Sequence, residues 1–188
     1  MNRPAKPIVC ACVTCAFSFL LLSATAVAES TIRYNYLEAR YVDVEESDVD
    51  GDGFSFGGSY LLNKDIYLRG DYQDVDLDGS ADAQILELGI GYRYAYQNMD
   101  LIGEINYVDL DGDVIETDSG VLLSAGLRTY LLPKLEARAS FNYVTVNDND
   151  TYVQLGADYF LTGKLSLGGT VRLGADVDEF TLGARWYY

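Results

Sequence analysis

From about residue 33 to the last residue, apolar and polar positions alternate with a period of two in ten segments, at roughly 33–43, 53–62, 65–73, 83–96, 99–108, 119–132, 134–146, 151–161, 163–173 and 178–188. Successive side chains of a strand point to opposite faces, so each segment predicts a β-strand with one apolar face. The connections alternate too. Short turns at Asn63-Lys64, Gln97-Asn98, Pro133 and Thr162-Gly163 interleave with longer acidic stretches at about 44–52, 74–82, 109–118, 147–150 and 174–177.

Parity assigns the faces. One face collects Leu37, Tyr41, Phe54, Phe56, Leu68, Leu88, Ile90, Ile105, Leu123, Leu127, Phe141, Leu155, Leu167, Leu182 and their alternating neighbours, none of them charged. Once strand direction is followed, its aromatics fall into two groups: Tyr41, Phe54, Tyr72, Tyr107, Tyr143 and Phe180 at the loop end, and Tyr60, Tyr94, Tyr96, Tyr159, Trp186 and Tyr188 at the turn end. Rings with an apolar body and a polar tip favour membrane interfaces, and two such belts around an aliphatic band are the pattern of a spanning barrel. A soluble β-sandwich accounts for the alternation but not for the belts. The expected fold is all-β: a closed antiparallel transmembrane β-barrel of ten strands, with eight as the alternative.

The other face is polar. It carries Glu38, Arg40, Arg69, Asp71, Glu87, Arg93, Glu104, Arg128, Glu136, Arg138, Asp158, Arg172 and Arg185, a nearly balanced set, with small residues such as Gly57, Gly89, Gly91, Ser124, Gly156 and Gly168 between them. Buried charge is costly unless paired, so these residues are expected to form an ion-pair network that fills most of the bore.

At the amino terminus, Arg3 and Lys6 precede an apolar run from about Ile8 to Leu22 and then Ala26-Val27-Ala28. This is the order of a secretory signal peptide, and cleavage is expected after Ala28, leaving 29–188 as a single barrel domain. All of Cys10, Cys12 and Cys15 lie in that leader, so the mature domain is expected to hold neither disulfide nor lipid anchor. Beyond it no apolar run is long enough for a membrane-spanning helix. With 16 Tyr and 18 Gly, the composition suits a barrel.

The chain contains no histidine. A histidine general base is therefore excluded, and a Ser–Lys arrangement would have to draw on Lys64, Lys134 or Lys164, all at turns. Nothing singles out one carboxylate pair for acid–base work, so no enzyme activity is expected. The acidic stretches hold a repeated spacing instead. Asp48, Asp50 and Asp52 precede Gly53, Asp74, Asp76 and Asp78 precede Gly79, and Asp109, Asp111 and Asp113 repeat the spacing. D-x-D-x-D-G is the first half of a calcium loop, but the bidentate Glu of its second half is missing. These nine aspartates are expected to bind Ca²⁺ or Mg²⁺ weakly by sharing carboxylates between loops; plain solvated, turn-forming connectors are the other reading. A net charge of −16 repels nucleic acid, and no cofactor is required by any residue pattern.

The last residues, with Thr181, Gly183, Trp186 and Tyr188 in alternation, resemble the carboxy-terminal assembly signal of bacterial outer-membrane β-barrels, with Tyr at the terminus where those proteins more often carry Phe. Together with the leader and the ten segments, the chain resembles the small proteobacterial outer-membrane barrels, a grouping that includes the OmpA-type membrane domain and OmpX-like proteins. Tyr34, Tyr36, Glu38, Asp52 and the stretch Gly57-Gly58-Ser59 look like the first hairpin of one such group. The resemblance implies the bacterial outer membrane of a Gram-negative cell, lipid and lipopolysaccharide as surroundings, and delivery by the outer-membrane assembly machinery through the last strand. It fixes no ligand. Two functions remain: a surface protein with a largely plugged lumen and acidic loops for cation or surface interaction, or a narrow pore for small solutes or ions.

Overall fold

A computed structural model of the chain describes residues 32–46, 49–77, 81–112, 117–146, 149–174 and 177–188. Among these lie ten strands: β1 (Tyr36–Glu46), β2 (Val49–Leu61), β3 (Ile66–Leu77), β4 (Ala81–Tyr96), β5 (Met99–Gly112), β6 (Asp118–Leu132), β7 (Leu135–Val144), β8 (Asp150–Phe160), β9 (Leu165–Leu173) and β10 (Val177–Tyr187). Each strand pairs antiparallel with its sequence neighbours, and β1 pairs with β10 to close the barrel. The count is ten, as the alternating segments predict, and not eight. The expected leader 1–28 lies outside the described residues, as do Asp48, Asp78 and Asp113.

Closure leaves no open sheet edge. The joining register sets Tyr36 opposite Tyr187, Glu38 opposite Arg185 and Arg40 opposite Gly183, so unlike charges meet across the seam on the inner face. The turns fall where the sequence places them. In the turn between β2 and β3, Asn63 Oδ1 accepts from the backbone N–H of Asp65 and of Ile66, both at 2.9 Å, and between β8 and β9 Thr162 Oγ1 accepts from Lys164 and Leu165 at 3.1 Å. A polar side chain that mimics a backbone turn explains why these residues stand there. Gln97, at the two-residue turn between β4 and β5, takes a φ of +56°, the left-handed value such turns require.

The outer face is apolar between the two aromatic belts. Leu88, at 52% exposure, stands for a wall that also includes Phe56, Ile90, Ile105, Leu123, Leu167 and Leu182. At the loop end the rings of Tyr41 and Phe54 meet edge to face at 5.9 Å, and at the turn end Trp186 and Tyr188 lie 5.8 Å apart.

Several strands run further than the sequence pattern places them. β2 starts at Val49 rather than 53, β3 continues to Leu77 rather than 73, and β5 to Gly112 rather than 108. Six described aspartates expected in loops therefore stand on strands: Asp50 and Asp52 on β2, Asp74 and Asp76 on β3, Asp109 and Asp111 on β5. The reason is that period two continues past the loop-side belt with its polarity reversed. Asp52, Asp74, Asp76 and Asp111 are exposed on the outside, while Val42, Val75 and Val108 are buried within, and Val44, Leu77 and Leu110 join them on the inner wall. Polar outside and apolar inside is the ordinary rule in water, so this rim is built as a short water-facing barrel stacked on a lipid-facing one.

The amino-terminal correction is at β1, which begins at Tyr36 rather than 33. Residues 32–35 are not paired as strand. Ile32 and Tyr34 are buried against Tyr67 of β3, on the inner side of the turn end.

Candidate functional site

Every charged residue assigned inward by parity is buried or half-buried. Seven of them join one network near the turn end. Glu38 Oε2 accepts from Arg40 (Nε 3.0 Å, Nη2 2.7 Å) and from Arg185 (Nε 3.1 Å, Nη2 2.8 Å). Asp158 pairs with Arg138, with Arg185 at 3.3 Å and with Arg40 at 3.8 Å. Arg128 donates twice to Glu136 Oε1, at 2.9 and 2.6 Å, and Arg185 reaches the same oxygen at 4.0 Å. Four arginines on β1, β6, β7 and β10 are thus bound to three carboxylates on β1, β7 and β8. Such pairs gain enough Coulomb energy to offset desolvation only when their remaining polar atoms are satisfied; Arg138 Nη2 donates to Thr170 Oγ1 at 2.6 Å, whereas Arg40 Nη1 and Glu136 Oε2 have no hydrogen-bond partner among the described residues.

Small residues make this crowding possible. A Cβ at Gly156 would lie 2.6 Å from Arg138 Nε, its cross-strand partner, and one at Gly168 would strike the Asp158 carboxylate. These glycines stand among the charges because a polar side chain of the neighbouring strand lies across each of them, not because the backbone needs freedom there.

Below the network the turn end is occupied by the amino-terminal segment. The ring of Tyr34 is 2% exposed and lies 4.7 Å from that of Tyr67, with the guanidiniums of Arg128 at 4.4 Å and Arg93 at 5.0 Å over it. Its hydroxyl donates to Asp100 Oδ2 at 3.0 Å, which also accepts from Arg93 at 3.1 Å. Arg128 and Arg93 donate further to the carbonyls of Arg33 and Ile32. Tyr67 donates to Glu104 at 2.6 Å, and Arg69 pairs with the other oxygen of that carboxylate at 3.2 Å. Tyr36, Tyr187 and Phe160 complete an aromatic floor.

Sequence reasoning misses part of this layer. Asp100 is fully buried, accepts from Tyr34 and Arg93, and stands outside the inward set although it has the parity of Glu104. Tyr34, Tyr67, Tyr152 and Tyr187 point inward, whereas tyrosine-rich composition directs attention to the membrane belts. Parity with Glu38, Arg69, Gln154 and Arg185 is the signal that finds them.

Above the network the lumen widens into a cavity of about 470 Å³. Its upper wall is apolar, formed by Val75, Ile85, Val108, Leu122, Val144 and Tyr152. Between wall and network stand Asp71, Glu87, Arg172 and Glu179. Among the described residues these form no ion pair. Arg172 lies 3.8 Å over the Tyr152 ring, and Glu179 accepts a long bond of 3.5 Å from Gln73.

The aspartates expected to bind metal are arranged differently from a calcium loop. Residues two apart on a strand lie about 6.6–6.8 Å apart along one face, so the described pairs Asp50 and Asp52, Asp74 and Asp76, and Asp109 and Asp111 set their carboxylates in a line instead of curling them around an ion. Across strands they form a row, with Asp43 opposite Asp52, Asp52 opposite Asp76 and Asp76 opposite Asp82. Among the described residues no group of three or more Asp or Glu is placed to hold a metal ion.

No protein-family model matches the chain, and no curated protein does either. Solved structures with a similar fold include the KdgM porin in complex with disordered oligogalacturonate, 8% identical with a TM-score of 0.48 over 81% of this chain and 99% of that one. Neisserial surface protein A is 15% identical with a TM-score of 0.43, covering 81% of this chain and 95% of its own. A de novo designed transmembrane β-barrel is 16% identical with a TM-score of 0.44, over 84% and 98%. Likeness at this level assigns neither ligand nor partner.

Proposed function

We propose that the chain is a non-enzymatic β-barrel of the bacterial outer membrane, closed toward the periplasm and presenting an acidic rim outside for interaction with cations or a neighbouring surface. The membrane assignment is supported by the uncharged outer band between two aromatic belts. Kinship with the small OmpA-type and OmpX-like barrels is part of the same reading, supported by the length of the barrel and the terminal alternation of Thr181, Gly183, Trp186 and Tyr188. The observation that carries the closure is the segment 32–35, whose Tyr34 sits within the turn end between Tyr67, Arg93 and Arg128. Barrels of about eight strands are filled by side chains, and two more strands widen the bore only modestly. Divalent cations would then gather along the outer aspartate row as loosely held counter-ions, without an enclosed site.

The experiment is single-channel recording in planar bilayers. Wild-type protein gives no stable conductance, and Tyr34→Ala combined with Arg128→Ala and Glu136→Ala gives a measurable one. A stable conductance from the wild type would overturn the closure. It would favour the second reading, a narrow pore for small solutes or ions, which the cavity above the network supports.

A further inference from the structure

Asp71 on β3 and Glu87 on β4 are direct cross-strand partners on the inner face. Like charges placed so are destabilising, and their Cβ atoms stand about 4.5–5.5 Å apart. The cations near them are engaged elsewhere: Arg69 pairs with Glu104, Arg40 with Glu38, and Arg172 lies over Tyr152. No ion pair reaches either carboxylate from a described residue, whereas the ion network below has a partner for every carboxylate in it. The inner wall of β3 to β5 therefore carries an excess of negative charge, with Asp71, Glu87, Asp100 and Glu104 against Arg69 and Arg93.

These two acids stand at the foot of an apolar wall. Along β3 the inward residues after Asp71 are Gln73, Val75 and Leu77, and along β4 the matching ones are Ile85 and Ala83. Val108, Leu122, Val144 and Tyr152 continue that wall around the cavity. Thr181 lines the same cavity from β10. It is only 5% exposed, and its Oγ1 has no hydrogen-bond partner among the described residues. A cavity of about 470 Å³ has the size of a small-molecule site; its upper wall is apolar, and its lower lining is the paired network of Glu38, Arg40, Arg128, Arg138 and Arg185, which leaves Asp71 and Glu87 as acids outside an ion pair. The acidic outer rim adds attraction for positive charge at the end from which such a molecule would enter.

We propose that this cavity binds a small organic cation, an ammonium group on an apolar body. The charged head lies between Asp71 and Glu87, and the body packs against Val75, Ile85, Val108, Leu122 and Tyr152. An ammonium donates to both carboxylates at once and removes their repulsion. A hydrated metal ion gains nothing from the apolar wall, and a neutral hydrocarbon gains nothing from the acids. The site rests on the outer-membrane barrel reading but not on closure of the turn end, because binding is measured separately from conductance.

The test uses purified protein in nanodiscs of phosphatidylcholine, titrated calorimetrically with hexylammonium, hexanol, hexanoate and tetramethylammonium, with protein-free nanodiscs subtracted. Hexylammonium binds saturably, hexanol at least about tenfold more weakly, and hexanoate and tetramethylammonium not measurably, since a charged hydrogen bond is worth roughly a factor of ten or more. Asp71→Asn with Glu87→Gln removes the preference for hexylammonium over hexanol and leaves hexanol binding intact, which also reports that the barrel is folded. Leu122→Trp, filling the cavity, abolishes both. Equal binding of hexylammonium and hexanol to the wild type would overturn the role of the acids. Tetramethylammonium binding as tight as hexylammonium would reduce the effect to rim charge, and no saturable binding of hexylammonium would remove the site altogether.

Discussion

At the scale of single residues, stability turns on how many partners a charge has and how dry it is. Asp158 is shared by Arg138, Arg185 and Arg40, and its side chain is almost fully buried. Asp158→Asn leaves three guanidiniums short of a counter-charge and is expected to cost about 3–5 kcal/mol, the scale for breaking a buried pair. Asp65→Asn, which removes the exposed partner of Lys64, is expected to cost under about 1 kcal/mol. Urea unfolding of both variants in the same lipid is the comparison; equal losses would contradict the network. A second residue-scale prediction concerns Gly156, where the atoms nearest to an added methyl all belong to the Arg138 side chain. Gly156→Ala should cost about 1–3 kcal/mol by overpacking. In an Arg138→Ala background that penalty should vanish, and the double-mutant cycle measures this directly.

At the scale of elements, each strand has two chemistries, and substitution should respect them. Arginine at the outward positions Leu88, Leu123 or Leu167 is expected to cost roughly 2–4 kcal/mol near the bilayer midplane. At the inward Ser124, which lines the cavity, the same change should cost much less. Folding yield and urea midpoint report both, and equal costs would invert the faces. The same two-faced pattern made the strands legible in advance. Strand number, direction and most of the charged lumen follow from parity, with Asp100 and Glu179 left out of the inward set, because period two leaves no freedom once one face is apolar. Three things were not legible. The strand ends were hidden because Asp-x-Asp reads locally as loop, and only pairing such as Gly53 with Val75 shows that the ladder continues. The seat of Tyr34 depends on a tertiary contact with Tyr67 that no local spacing encodes. Which charges pair was equally hidden, since closure of β1 on β10, and not sequence neighbourhood, sets Arg185 opposite Glu38.

At the scale of the whole molecule, charge is layered along the barrel axis, with a balanced network near the turn end and uncompensated acid at the loop end. The outer row of Asp43, Asp52 and Asp76 places like charges directly opposite one another. Each such contact costs a few tenths of a kcal/mol up to about 1 kcal/mol. Converting the three to Asn should therefore raise the urea midpoint at low ionic strength. The gain should shrink in 0.5 M salt or millimolar Ca²⁺, because screening acts on exposed charges. A gain independent of salt would mean that the row acts through something other than repulsion.

The reversal of polarity just beyond the loop-side belt also fixes how deep the molecule sits. A uniformly apolar cylinder could slide along the membrane normal by a residue or two at little cost, since one ring of aliphatic side chains replaces another. Here a downward shift of one strand repeat, about 6.6–6.8 Å, would drag the carboxylates of Asp52, Asp74 and Asp109 toward the level now held by Phe54, Tyr72 and Tyr107. An upward shift would lift the turn-end ring of Tyr94, Tyr159 and Trp186 into the hydrocarbon and expose aliphatic wall to water on the other side. The barrel is thereby a ruler with a stop at each end. In bilayers of increasing acyl-chain length it should hold its own vertical position and make the lipid adjust.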